Sequence, residues 1–106
     1  MSVGRVPLVY FYADWCGPCR RLRTALPSNE VDAALQRTTV ILVNVDSCQE
    51  LARSYGVSAI PTLVKVDAHG HPVATITSAQ WGKDVPDEIA PVLAKLVNSN
   101  AFYGRK

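Results

Sequence analysis

Hydrophobic and polar positions divide this chain into short, clearly bounded elements. Pro7-Leu-Val-Tyr-Phe-Tyr12 is an unbroken apolar and aromatic run of strand length, the pattern of a strand covered on both faces. The turn-rich segment Asp14-Trp-Cys-Gly-Pro18 ends it. A helix is predicted from the cysteines onward, where Leu22 and Leu26 stand four apart on one side, and Pro27 should stop or kink it. Val31 to Leu35 reads as a short second helical piece. The β-branched run Thr39 to Val45 predicts a second buried strand, and two strands joined by helix imply a βαβ unit. Ser47, followed three residues later by Glu50, has the spacing of a capping box for a helix running to Tyr55, with Gly56 as its stop. After Ile60-Pro61, Thr62 to Val66 predicts a third strand, Ala68-His-Gly70 a turn, and Val73 to Ile76 the hairpin partner. Asp87 to Val97 closes the order as an amphipathic helix, acidic at its positive end and with Lys95 nearer the negative one; Pro91 should bend it.

This β-α-β-α-β-β-α order is of the α/β class, without internal repeat, charge block or linker. At 106 residues, 48% apolar and 19% charged, the chain has the make-up of one globular domain, residues 1–106, rather than a disordered one. The net charge of +2 is too slight to attract a polyanion, so no nucleic-acid partner is expected. The longest apolar runs fall far short of the roughly 20 residues a membrane helix needs, so no membrane insertion is expected. Three cysteines are too few and too odd in number for a disulfide-stapled secreted scaffold, which turns attention to redox chemistry or metal binding. Residues 1–5 lack the apolar stretch of a signal peptide, which predicts a cytoplasmic protein; a domain excised from an exported protein would instead be periplasmic.

Tyr12-Ala-Asp-Trp-Cys-Gly-Pro-Cys19, set between an apolar strand and a helix and followed by Ile60-Pro61-Thr62, resembles the thioredoxin family. A bare C-x-x-C is shared with zinc knuckles; the flanking Trp, the strand-to-helix setting and the downstream Ile-Pro-Thr make the pattern specific. The resemblance implies a thioredoxin fold in a minimal form, a central mixed four-stranded sheet with helices on both faces, because the family's usual first strand and helix are absent or shortened. Ala13-Asp-Trp-Cys16 and Leu26-Pro-Ser-Asn-Glu-Val31 are also similar to the C-terminal thioredoxin-like domain of the bacterial transmembrane disulfide reductase.

On that resemblance the chain is expected to be a thiol:disulfide oxidoreductase that reduces protein disulfides. At a helix start, Cys16 lies by unsatisfied N–H groups and the positive dipole end, which stabilise a thiolate; Cys19, one turn further in, is the resolving thiol. Gly17 permits close approach of substrate backbone, and Pro18 sets φ in the first turn without wasting a donor. The family implies a cis Pro61 and an Ile60 main chain beside Cys16 that pairs with an extended substrate. Trp15 is expected to pack over the site without reacting. The expected partners are disulfide-containing proteins and either a thioredoxin reductase or a membrane electron donor; the protein is expected to be a monomer, needing no cofactor beyond the redox-active disulfide.

Departures from the family pattern fall beside the cysteines. Tyr10 stands where the family commonly has a buried acid and Leu42 where a lysine often pairs with it, so the usual proton acceptor for Cys19 is missing. Tyr10 could donate through its hydroxyl but is a poor base at neutral pH, leaving water or Asp14 to take the proton. The loop Thr77-Ser-Ala-Gln-Trp81 lacks the family's substrate-contacting Gly, and Trp81 is expected to anchor the last helix. Arg20, Arg21 and Arg23 read as a solvated helix face, with lowering of the Cys16 pKa or preference for acidic partners as the functional alternatives. Cys48 reads as a partly buried free thiol. His69 and His71 sit in a hairpin turn remote from the cysteines, so no metal is expected. The competing reading is a thioredoxin-fold binding or chaperone-like module that holds a client at Trp15, Ile60 and Pro61.

Overall fold

A computed structural model describes residues 5–99. All eight predicted elements are present among the described residues, with an added single-turn 3-10 helix. The strands are β1 (Val6–Tyr12), β2 (Thr38–Asn44), β3 (Thr62–Val66) and β4 (Pro72–Thr77). The helices are α1 (Gly17–Ala25), α2 (Asn29–Ala34), α3 (Gln49–Ser54) and α4 (Pro86–Val97), and the 3-10 turn spans Ser78–Gln80. Sheet order is β2-β1-β3-β4, with β1 parallel to β2 and antiparallel to β3, and β3 antiparallel to β4. This is the mixed four-stranded sheet expected from the sequence.

Alternation of side chains along β1 builds two cores, one on each face. Leu8 and Tyr10 join Leu63, Leu22 of α1, Val31 of α2 and Ile89, Leu93 and Leu96 of α4. Val9 and Phe11 join Val43, Val64, Val66 and Ala52 of α3 on the other. Helices therefore cover both faces. Because β1 and β3 lie inside the sheet under both layers, all five residues of β3 are buried, as are Leu8 to Phe11.

β2 differs from the sequence reading. It is an edge strand, with Ile41 and Leu42 exposed and only Thr38 and Val43 buried. Its β-branched composition signals a strand but carries no information about position in the sheet.

Lys65, alone among apolar neighbours in β3, is also buried. Its Nζ donates to the carbonyls of Val97 (3.0 Å) and Ser99 and so satisfies the end of α4. Burial, and secondarily Arg37, pull its pKa below the ordinary lysine value.

α3 starts one residue later than the Ser47–Glu50 spacing predicts. Its N-cap is Cys48, with no side-chain cap bond. The Asn44 carbonyl accepts from the N–H groups of both Ser47 and Cys48, so the chain is still turning at Ser47 and the capping box does not form. Cys48 is consequently exposed rather than partly buried. Gly56, at φ 72°, ends the helix as expected.

Candidate active site

Topology gathers the site at one end of the sheet. β1 runs toward Cys16; β2, parallel to it, delivers Asp46 at the same end, and antiparallel β3 starts there, with Thr62 opposite Phe11 and Pro61 just before it. Cys16 and Cys19 form a disulfide across a Cα–Cα distance of 5.2 Å. Cys16 is the N-cap of α1, and its Sγ accepts from the Cys19 N–H at 3.1 Å. That sulfur occupies the place of an N-cap oxygen, where a free helix donor and the positive dipole end favour negative charge. Pro18 falls in the first turn, as expected. Ile60-Pro61 is cis, and the Ile60 carbonyl oxygen lies 3.8 Å from Cys16 Sγ. Ala13, Cys16 and Cys19 pack together against Tyr12, Val45 and Ile60, and the two cysteines are 4% and 2% exposed.

Trp15 is 66% exposed and stands beside this pair. Its Nε1 donates to Asp46 Oδ2 at 2.9 Å, while the Asp46 N–H donates to Asn44 Oδ1 at 2.8 Å. The indole is thus an exposed apolar surface held in orientation by the loop after β2, a partner that no local sequence signal indicated.

Tyr10 is fully buried under α1, and its hydroxyl donates to the Cys19 carbonyl at 2.9 Å. Burial pushes its pKa up to about 12, with Arg23 pulling the other way and Tyr12 adding to the rise. A phenol that holds its proton this tightly, and already donates it, anchors the helix rather than accepting a proton from Cys19. Leu42 is half exposed at the edge strand, across the β1–β2 register from Tyr10. Asp14 is exposed, and its main-chain oxygen accepts from Arg20 Nη1 at 2.9 Å.

Arg20, Arg21 and Arg23 are all exposed, as a solvated helix face requires, and each also has a partner. Arg23 lies over the Tyr12 ring, 4.7 Å from its centroid. Arg21 Nε donates to Asp84 Oδ2 at 2.7 Å, and Trp81 Nε1 donates to Asp84 Oδ1, also at 2.7 Å. Burial raises the Asp84 pKa, but the hydrogen bonds from Trp81 and Arg21 outweigh it, so the carboxyl sits below its ordinary value. Trp81 is buried with Ile89 and Leu93 of α4, the anchoring role expected of it. Thr77 and Gln80 form a capping box that shapes this loop. Sixty-three residues separate Arg21 from Asp84, a distance at which pattern reading has no signal.

His69 and His71 lie in the β3–β4 turn, where the Asp67 carboxylate accepts both of their N–H groups at 2.9 Å. Among the described residues no cluster of three or more His, Cys, Asp or Glu is arranged to hold a metal ion, and no helix is long and apolar enough to cross a membrane.

The thioredoxin family model matches residues 3–91. The thioredoxin of Mycobacterium bovis is 33% identical over 96 residues, covering 91% of this chain and 81% of that protein. The mitochondrial thioredoxin-2 of Schizosaccharomyces pombe is 41% identical over 64 residues, covering 60% of this chain and 47% of the relative. The match thus spans about half the length of several such curated relatives. Among solved structures, the disulphide isomerase of Xylella fastidiosa superposes with a TM-score of 0.73 at 26% identity, covering 87% of this chain and 78% of that one. With the C-x-x-C disulfide at the start of α1, the cis proline beside it and the mixed sheet beneath them, the chain belongs to the thioredoxin family.

Proposed function

We propose that the protein reduces disulfides in other proteins by dithiol–disulfide exchange, with Cys16 as nucleophile and Cys19 as resolving thiol. The observation that carries this reading is the Cys16–Cys19 disulfide at the N-cap of α1, with the Ile60 main chain alongside. In the reduced protein the Cys16 thiolate, stabilised by the Cys19 N–H and the helix end, attacks one client sulfur. A mixed disulfide forms and the first client thiolate leaves. Cys19 then gives its proton to water and attacks Cys16 Sγ, which closes the Cys16–Cys19 disulfide and releases the second client thiolate. Two electrons pass to the client. The Ile60 carbonyl and amide pair with an extended client segment, Gly17 admits its backbone, and Trp15 offers an apolar surface beside it.

The Gly-Pro pair between the cysteines supports reduction over oxidation, by the resemblance to reducing members of the family. A flavoprotein reductase or a membrane electron donor would return the two electrons. The exposed free thiol of Cys48 fits a reducing compartment, the cytosol. The test is insulin-disulfide reduction with dithiothreitol, run beside Cys16→Ser and Cys19→Ser variants. Turnover is expected in the native protein and none in Cys16→Ser, while pre-reduced Cys19→Ser, freed of dithiothreitol before client is added, should hold the client as a mixed disulfide on Cys16. Unchanged client binding in the double variant, with no turnover in the native protein, would instead fit a binding module.

A further inference from the structure

Beside the cysteine pair, an open cleft of about 370 Å³ is lined by Gly17, Arg20, Arg21, Thr24 and Asp84. Gly17 directly follows Cys16, so this cleft adjoins any client held on that sulfur. A Cβ placed on Gly17 would lie 3.4 Å from Arg21 Nη1, so the guanidinium rests against the residue next to the nucleophile. Arg21 spends its Nε on Asp84, which leaves its Nη donors for the cleft. Arg20 gives Nη1 to a neutral main-chain oxygen, that of Asp14, so its charge is not met by that bond. The lining thus carries two cations against one carboxylate, already engaged by Arg21 and Trp81. The remaining acids of the site are accounted for: Asp46 holds Trp15, and Asp14 is exposed to water.

We infer that this cleft receives an acidic side chain of the client protein close to its disulfide, so that Arg20 and Arg21 select acidic-flanked disulfides. The inference rests on the oxidoreductase reading and deepens it. A carboxylate there accepts from Arg20 and from the Nη groups of Arg21, a charge-assisted fork that a lysine or glutamine on the client cannot form. Asp84 fixes the Arg21 fork in place, and a client lysine would instead face two guanidinium groups across a Debye length that exceeds the size of the cleft. Thr24, whose hydroxyl donates to the Arg20 carbonyl, walls the cleft one turn deeper.

The experiment uses the pre-reduced native protein and three peptides, each with the same intramolecular disulfide, flanked by Glu, Gln or Lys. Single-turnover reduction is followed by stopped-flow fluorescence at low and high salt. The Glu peptide should be reduced roughly threefold to tenfold faster than the Gln peptide at low salt, and the Lys peptide slower than both, with the spread collapsing at high salt. In Arg20→Gln the Glu-to-Gln ratio should fall toward one, and Arg20→Lys should retain part of it. Equal rates for the three peptides, or a Glu preference unchanged by Arg20→Gln, would overturn the cleft's role while leaving the reductase reading intact. Failure to reduce any of the peptides would overturn the reductase reading itself.

Discussion

Replacing Tyr10 with Phe removes one oxygen from the centre of the molecule and isolates what that hydroxyl does. Tyr10 is fully buried, and its only bond to α1 is the 2.9 Å donation to the Cys19 carbonyl. Cys19 lies within α1, so its carbonyl keeps its place in the helical ladder and the substitution strands no acceptor. The cost at pH 7 should therefore be that of one neutral hydrogen bond, about 1 kcal/mol, or roughly 4–8 °C in Tm for a domain of this size. The pH dependence follows from the raised pKa of about 12. An unfolded tyrosine titrates near 10, so below that pH both states hold the proton and the residue adds no slope. Above it the unfolded chain loses a proton that the native protein keeps, and the native protein loses stability by up to about 1.4 kcal/mol per pH unit until its own pKa is reached. Phe has no such loss. The gap between Tyr10→Phe and native protein, in urea unfolding of the oxidised forms, should be about 1 kcal/mol at pH 7 and close near pH 11. A gap that stays constant across this range, or widens, would refute the assignment of Tyr10 as a buried neutral donor. A bell-shaped reductase profile lost on substitution would make it a proton acceptor instead.

Asp84→Asn should lower Tm at pH 7 by a few degrees, because it weakens the bonds from Trp81 and Arg21. The Asp84 pKa is depressed in the folded state, so its contribution is present above about pH 4 and lost on acidification. Melting curves of native and variant protein should converge near pH 2–3, and a constant offset would contradict the argument. Leu22→Ala, at a fully buried position of α1, should cost about 2–5 kcal/mol in urea unfolding; a loss under 1 kcal/mol would mean that α1 is not packed on the sheet as described. Gly56→Ala forces a side chain into φ 72° and should cost about 1–2 kcal/mol, although nothing lies within 4 Å of the added methyl; no loss in the same assay would deny the left-handed stop of α3.

Sequence pattern located the elements because their signals are local. The apolar run before Cys16 and the C-x-x-C at a strand-to-helix junction are each read from neighbouring residues, and Ile60-Pro61 gained its meaning by resemblance. Contacts made by folding were not legible. Asp46 reaches Trp15 across 31 residues, and Lys65 satisfies the end of α4 across 32. Leu42 and Ile41 read as core because an apolar run rich in β-branched residues looks alike in a central and an edge strand, and only the sheet order separates them. Ser47 and Glu50 have capping-box spacing, yet the turn closed by the Asn44 carbonyl delays the helix by one residue.

Whether Cys16 and Cys19 form a reducing, reversible dithiol is decided by the equilibrium reduction potential of the pair against glutathione. A reducing pair should show a single two-electron transition at about −270 mV, the reducing end of the fold's range. A transition near −120 mV, in the range of a strong oxidant, or no reversible transition at all, would contradict it.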